Sequence, residues 1–227
     1  KIKQYYLNIN NFKKLNKVIK KEKPDIVFHL AAQAIVSEGY KDPLNTFQTN
    51  LIGSSNILES CRVNKIKNLV YITSDKCYLN EDKKERYTEK DTLGGEDPYS
   101  ASKAGAEIIF HSYLKSFSIN KKKIKFASGR AGNVIGGGDM RRDGIIPDII
   151  RSIRSKQKLT IRNPNSTRPW QHVLEATSGY LVLGHLLIKN RLKKSYYPSW
   201  NFGPKSLTNK TVIKLARQFT ESWGIKK

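Results

Sequence analysis

The chain has 227 residues, 42 of them Lys or Arg against 19 Asp or Glu, for a formal net charge of +23. A hydrophobic fraction of 38% with 10% aromatics excludes a disordered basic tail, and the length suffices for one large domain or two small ones with a real core. No run of about eighteen apolar residues occurs, so no membrane-spanning helix is expected, and the first residues lack the apolar stretch of a secretion signal. Two cysteines, Cys61 and Cys77, are too few for a disulfide framework or a four-ligand zinc site, which makes a reducing cytoplasm the expected compartment. The lysines are scattered: short clusters at 20–23, 121–123 and 193–194 sit at element ends. No aromatic RNA-binding motif, zinc-finger spacing or continuous basic helix accompanies them. The charge therefore reads as solvated surface, with no nucleic-acid partner expected.

Residues 13–23 read as a short polar helix stopped by Pro24. A compact apolar run over 25–30 is of strand length. From Pro43 a helix is predicted, with Leu44, Phe47, Leu51, Leu58 and Cys61 three, four or seven apart on one face. A second buried-type strand covers 68–73. Asp97 and Pro98 then read as N-cap and first position of a helix reaching about 118, and 123–128 as a third strand. Beyond Asn133 the pattern loosens into a Gly-rich turn at 136–139, a helix at 145–154, a short strand at 159–162 and helices near 173–190 and 208–223. Strands alternating with helices of ten to twenty residues imply an α/β fold with a parallel sheet. The Gly-rich turn that normally opens a doubly wound nucleotide-binding sheet is not found before the first strand. The expected architecture is therefore a Rossmann-like parallel sheet, incomplete, with its first βαβ unit missing and a small C-terminal lobe. On this reading the chain is a fragment: a partial sheet domain over 1–135 and a lobe over 136–227, with a return to the sheet within 173–203.

Tyr99 and Lys103 are spaced to share a helix face, where an ammonium beside a phenol favours the phenolate. Such a tyrosine can take a proton from an alcohol while hydride leaves the carbon. Ser74, Asp75 and Lys76 follow the second strand, at the sheet end where parallel α/β folds place their ligands. A strand-end hydroxyl, carboxyl and amine joined to a helical Tyr/Lys pair make a plausible proton-transfer set. The four histidines lack metal spacing, and no metal is expected.

These residues resemble the catalytic set of the extended short-chain dehydrogenase/reductases. His29-Leu-Ala-Ala32 and Thr49-Asn50-x-x-Gly53 are similar to that family's cofactor-contacting strand end and the helix after it. Within it the chain resembles the nucleotide-sugar 4,6-dehydratases. The segments that carry this are Thr73-Ser-Asp-Lys-Cys-Tyr78, Leu93-Gly-Gly-Glu-Asp-Pro-Tyr-Ser-Ala-Ser-Lys103, Arg130-Ala-Gly-Asn-Val-Ile-Gly-Gly-Gly-Asp139, Ile161-Arg-Asn-Pro164, Thr167-Arg-Pro-Trp-Gln-His-Val173 and Trp200-Asn-Phe-Gly-Pro204.

The resemblance implies a lyase that holds NAD and takes CDP-glucose as its nucleotide-sugar substrate. It implies Ser74, Asp75, Lys76, Tyr99 and Lys103 as catalytic residues, with Asp75 the acid at the 6-hydroxyl and Lys76 the base at C5. It implies Ala31, Ala32, Gln33, Thr49, Tyr99, Lys103 and Val134 as cofactor contacts, and Ser74, Asn133, Arg168 and Asn201 as substrate contacts. A homodimer through helices near 44–64 and 97–118 also follows from it, as does poor NAD binding by a chain without the Gly-rich turn. Dehydration of a dTDP-, GDP- or UDP-sugar and 4-epimerisation remain open, although Asp75 and Lys76 have no task in an epimerase. A basic Rossmann-like module holding nucleic acid or a dinucleotide is the non-enzymatic alternative. The complete Ser74/Tyr99/Lys103 set argues against it.

Overall fold

The computed structural model describes residues 2–81, 85–118, 124–192, 198–204 and 210–225. The lysine clusters at 121–123 and 193–194 lie outside them. The chain divides into two compact units: residues 1–131 with 179–201, and 132–178 with 202–227. The second segment of the first unit holds most of the strand at 199–202, which joins that unit's sheet.

In the first unit, helix α1 (Phe12–Glu22) starts where the Asn11 side chain accepts the Lys14 N–H at 3.0 Å and stops at left-handed Lys23. Strands β1 (Ile26–His29), β2 (Asn68–Ile72) and β3 (Lys125–Ala131) pair in parallel, with His29 opposite Tyr71 and Tyr71 opposite Ser128. Alternate residues serve opposite faces. Val27, Leu69, Tyr71 and Phe126 pack with Leu15, Ile57, Leu58, Cys61 and Phe110 from the helices on one side. Phe28 is in register with Val70 on the other side, where a Cβ on Gly184 of helix α7 (Val173–Ile188) would lie 2.6 Å from the Phe28 ring. Helices thus cover both faces, as a parallel sheet requires.

The helix predicted from Pro43 is a helix α3 (Pro43–Phe47), a π-helical stretch (Gln48–Gly53) and a helix α4 (Ser54–Val63), preceded by an unpredicted α2 (Val36–Lys41). The wider π turn shifts the angular phase. Leu58 and Cys61 are therefore buried, whereas Leu44 is exposed. Helix α5 (Pro98–Ser118) begins as predicted: the Asp97 carboxylate accepts the Ser100 N–H at 2.9 Å and its hydroxyl at 2.6 Å, and Pro98 occupies the first position.

In the second unit, β4 (Val134–Ile135) pairs in parallel with β6 (Gln171–His172). Strand β5 (Thr167–Arg168) pairs antiparallel with β8 (Lys210–Thr211). Helix α6 (Ile145–Ser155) packs on α8 (Val212–Ser222). The strand predicted over 159–162 is absent. Residues there have no ladder partner, and Ile161 instead lines a cavity. The last helix starts at Val212; 208 and 209 lie outside the described residues. The remaining strand, β7 (Ser199–Phe202), lies beside β3 as the sheet's fourth strand.

Candidate active site

Parallel pairing puts the segments after β1 and β2 at the same end of the sheet. After β2, Ser74 enters a 3₁₀ turn (Asp75–Cys77). Its Oγ accepts the Lys76 N–H at 3.2 Å and donates to Asp75 Oδ1 at 3.1 Å, while the Cys77 N–H returns to the Ser74 carbonyl at 3.2 Å. This turn packs against α5. Tyr99 and Lys103 occupy the first two turns of that helix, 8% and 5% exposed, with the lysine Nζ 5.9 Å from the phenol ring centre. Burial pushes the Lys103 ammonium down to about 8, against the opposing influence of Cys77 and Glu107. Among the described residues that ammonium has no hydrogen-bond or ion-pair partner, an unusual state for a buried cation.

After β1, Ala31 is exposed and Ala32 half-buried, and Gln33 is fixed on every side. Its N–H donates to Asn50 Oδ1 at 2.9 Å, and its carbonyl accepts from Asn50 Nδ2 at 3.0 Å. Its side-chain amide bonds Thr46 Oγ1 at 2.8 Å and receives the Ile35 N–H at 2.6 Å. The same Asn50 amide reaches Ser102 Oγ on α5 at 2.9 Å. Asn50 was not foreseen as a site residue. It belongs to the π stretch, as does half-buried Thr49, and it ties the end of β1 to the helix carrying Tyr99.

Asn133, Val134 and Arg168 belong to the second unit, where they line one cavity of about 490 Å³. Its floor includes Gly136, Gly137 and Gly138, the last at φ +78, a conformation that favours glycine. Arg141 pairs with Asp139 at 3.1 Å and Arg162 with Asp143 at 3.4 Å. Among the described residues Arg154 and Arg168 have no carboxylate partner, and Arg168 Nη1 donates only to the Thr167 carbonyl, at 2.7 Å. Asn201 belongs to the first unit, and its amide is already engaged. Its Oδ1 accepts the Tyr78 hydroxyl at 2.6 Å, and its Nδ2 donates to the Tyr87 carbonyl at 3.0 Å.

The NAD dependent epimerase/dehydratase family model matches residues 1–188. The chain is a member of that family. It is similar to the CDP-glucose 4,6-dehydratase of Salmonella typhimurium, 45% identical over 222 residues, which cover 96% of this chain and 61% of that protein. It is also similar to the dTDP-D-glucose 4,6-dehydratase of Dictyostelium discoideum, 33% identical over 192 residues, covering 80% of this chain and 43% of that protein. The chain thus spans about three fifths or less of the length of these relatives. Its backbone matches a dTDP-glucose 4,6-dehydratase from Streptomyces venezuelae solved with NAD, with a TM-score of 0.81 at 18% identity, over 97% of this chain and 63% of that one. A Thermotoga maritima UDP-glucose 4-epimerase matches with a TM-score of 0.82 at 21% identity, over 98% and 69%. The fold is the Rossmann-like α/β fold of these proteins.

The dinucleotide that the family name implies can be tested against the residues present. A buried ammonium without a hydrogen-bond or ion-pair partner among the described residues, beside a phenol at the ends of parallel strands, suits the hydroxyls of a dinucleotide. The pyrophosphate's usual cradle, a Gly-rich turn into a helix, does not occur ahead of β1 in this sequence.

Proposed function

We propose that this chain carries the catalytic centre of an NAD-dependent 4,6-dehydratase acting on CDP-glucose. The reading rests chiefly on the turn Ser74–Asp75–Lys76 packed against the helix of Tyr99 and Lys103. It supplies an acid and a base beyond the single proton acceptor that 4-epimerisation needs. The 45% identity to a CDP-glucose enzyme supports cytosine as the base.

Bound here, NAD would supply the acceptor for hydride from sugar C4 and its donor to C6. Tyr99 removes the proton of the 4-hydroxyl, and Ser74 orients that hydroxyl by hydrogen bonding. Lys103 holds the phenolate by its charge and contacts the cofactor together with Ala31, Ala32, Gln33 and Thr49. The 4-ketone acidifies the C5 proton, which Lys76 accepts while Asp75 gives a proton to the departing 6-hydroxyl. One water leaves; as hydride arrives at C6, Lys76 returns its proton to C5, and the proton taken by Tyr99 restores Asp75 through solvent, so the product is the 4-keto-6-deoxy sugar. In the second unit Asn133 and Arg168 take the diphosphate, for which a guanidinium fork is suited. Asn201 acts in this account through Tyr78 as scaffold, and Val134 lines the substrate cavity.

A homodimer through α4 and α5 is part of the proposal. On the helices over 44–64 and 97–118, Leu51, Leu58, Ile109 and Tyr113 are buried or half-buried, whereas Ile52 and Ile108 are 56% and 58% exposed.

The test is turnover by the protein expressed from its complete reading frame, offered CDP-, dTDP- and UDP-glucose and GDP-mannose. The expected result is a 4-keto-6-deoxy product formed fastest from CDP-glucose, with Tyr99→Phe reduced at least a hundredfold. Preference for dTDP-glucose removes the CDP assignment. Conversion of UDP-glucose to its 4-epimer removes dehydration.

A further inference from the structure

A buried ion pair lies directly behind the Ser74–Lys76 turn. Glu107 and Arg130 are both fully buried, with Arg130 Nη2 2.7 Å from Glu107 Oε2. Glu107 continues the stripe of Tyr99 and Lys103 along α5 at the same spacing of four. Its other oxygen, Oε1, accepts the Thr73 hydroxyl at 2.5 Å. Arg130 Nη1 donates to the Tyr78 hydroxyl at 2.8 Å, with its guanidinium carbon 5.1 Å from the Tyr78 ring centre. Thr73 is the residue before Ser74, and Tyr78 is the residue after the turn. The pair therefore grips both ends of the segment that bears Ser74, Asp75 and Lys76: Glu107 holds Thr73 from the helix that bears Tyr99 and Lys103, and Arg130 holds Tyr78 from β3.

Sheet pairing alone leaves that segment less constrained. The last link of β2 to its neighbour is the Thr73 N–H on the Gly129 carbonyl at 2.9 Å. Beyond it, the turn's own bonds are long, 3.2 Å for Lys76 and Cys77 and 3.5 Å for the Tyr78 N–H on the Asp75 carbonyl, and only its far end is tied to the loop before α5, by the Gly94 N–H on the Cys77 carbonyl and the Leu79 N–H on the Thr92 carbonyl, both at 2.9 Å. Burying two charges where apolar packing would serve is costly in itself, so the pair calls for a function beyond cohesion.

We propose that Glu107 and Arg130 are positioning residues, a clamp that sets the register of the acid and base turn against the Tyr99/Lys103 helix. The role assigned to the turn rests on the dehydratase reading; the clamp itself does not.

Removing either charge leaves the other buried and alone, which can prevent folding. The test therefore keeps the pair and cuts its two grips with the near-isosteric variants Thr73→Val and Tyr78→Phe; the latter also loses the hydroxyl's bond to Asn201 Oδ1 at 2.6 Å, so the clamp requires the effect in both. Ser199→Ala is the control. It also removes a hydrogen bond to Glu107 Oε2, at 3.2 Å, but touches neither end of the turn. Amide hydrogen exchange in the full-length protein is the first readout. Exchange at residues 76–78 should be at least tenfold faster in Thr73→Val and Tyr78→Phe, with amides of β2 and β3 unchanged, and unaltered in Ser199→Ala. The second readout is steady-state kinetics with CDP-glucose, where kcat should fall about tenfold in both grip variants at unchanged KM. Unchanged exchange at 76–78 in both overturns the clamp. So does equal acceleration in Ser199→Ala, which marks a purely structural network. Faster exchange with unchanged kcat also overturns it, since the turn's order then has no bearing on the chemistry. If the wild-type protein dehydrates no nucleotide sugar, the dehydratase reading has failed separately, and the exchange readout alone decides the clamp.

Discussion

Lys103 combines two opposed demands, a charge for chemistry and burial for shape. Its pKa is about 8 when folded, against 10.5 for an ordinary lysine. Between those values the unfolded chain binds the extra proton, so stability rises with pH from about 8 to about 10.5. Below 8 the folded protein carries the full cost of the buried cation, about 3 kcal/mol at 1.36 kcal/mol per unit. Lys103→Met should accordingly raise unfolding free energy at pH 7 by ~2 kcal/mol in urea titrations and abolish turnover. A destabilised Lys103→Met variant contradicts this. The same shift places a limit on the alkaline side of activity. The kcat/KM profile should decline above about pH 8 as the ammonium that supports the Tyr99 phenolate is lost, and a profile flat to pH 9.5 contradicts that role.

Elements deliver these residues through features of differing visibility. The start of α5 was legible because its signals are local: Asp97 as cap and Pro98 at the first position, fixing Tyr99 and Lys103 on one face. Strands β1 and β2 were legible as short apolar runs. The π stretch was not, because its widened turn is held by partners distant in sequence: Asn50 bonds Gln33, 17 residues away, and Ser102, 52 away. Asn50→Ala leaves the Gln33 N–H and carbonyl unpaired near the site and should cost ~2–4 kcal/mol in urea unfolding. A loss below half a kcal/mol contradicts its role as a tie. Gly95 was legible as part of a motif without its reason. A Cβ there would lie 2.4 Å from the Ala101 nitrogen, so the loop before α5 can close on the helix only without a side chain. The Glu107–Arg130 pair gave one sequence signal, the continued spacing of four from Lys103. Arg130, 23 residues on, was legible only as the first residue of a motif, with nothing to join it to Glu107.

At the scale of the whole molecule, the positive charge separates into surface and site. Of the 42 lysines and arginines, only Lys103 and Arg130 are buried among the described residues, and both stand at the proposed catalytic end of the first unit. The scattered remainder should bind duplex DNA only at low salt. In a gel shift, retention at 10 mM salt should vanish near 150 mM, where the Debye length is about 8 Å. Persistence at 150 mM would revive the nucleic-acid reading. The π stretch before α4 and helix α5 carry the exposed Ile52 and Ile108, so the double variant Ile52→Lys/Ile108→Lys should sediment as a monomer where the parent sediments as a dimer. Equal sedimentation of the two contradicts that interface.

The central claim is that hydride leaves C4 and returns to C6 of one sugar while Asp75 and Lys76 remove water between. It is tested most directly with CDP-glucose deuterated at C4, converted by the full-length protein with NAD and read by NMR of the product. The account predicts a 4-keto-6-deoxy sugar with the deuterium at C6, and no such product from Asp75→Asn or Lys76→Ala. Deuterium retained at C4 of an epimerised sugar, or a C6 free of label, contradicts it.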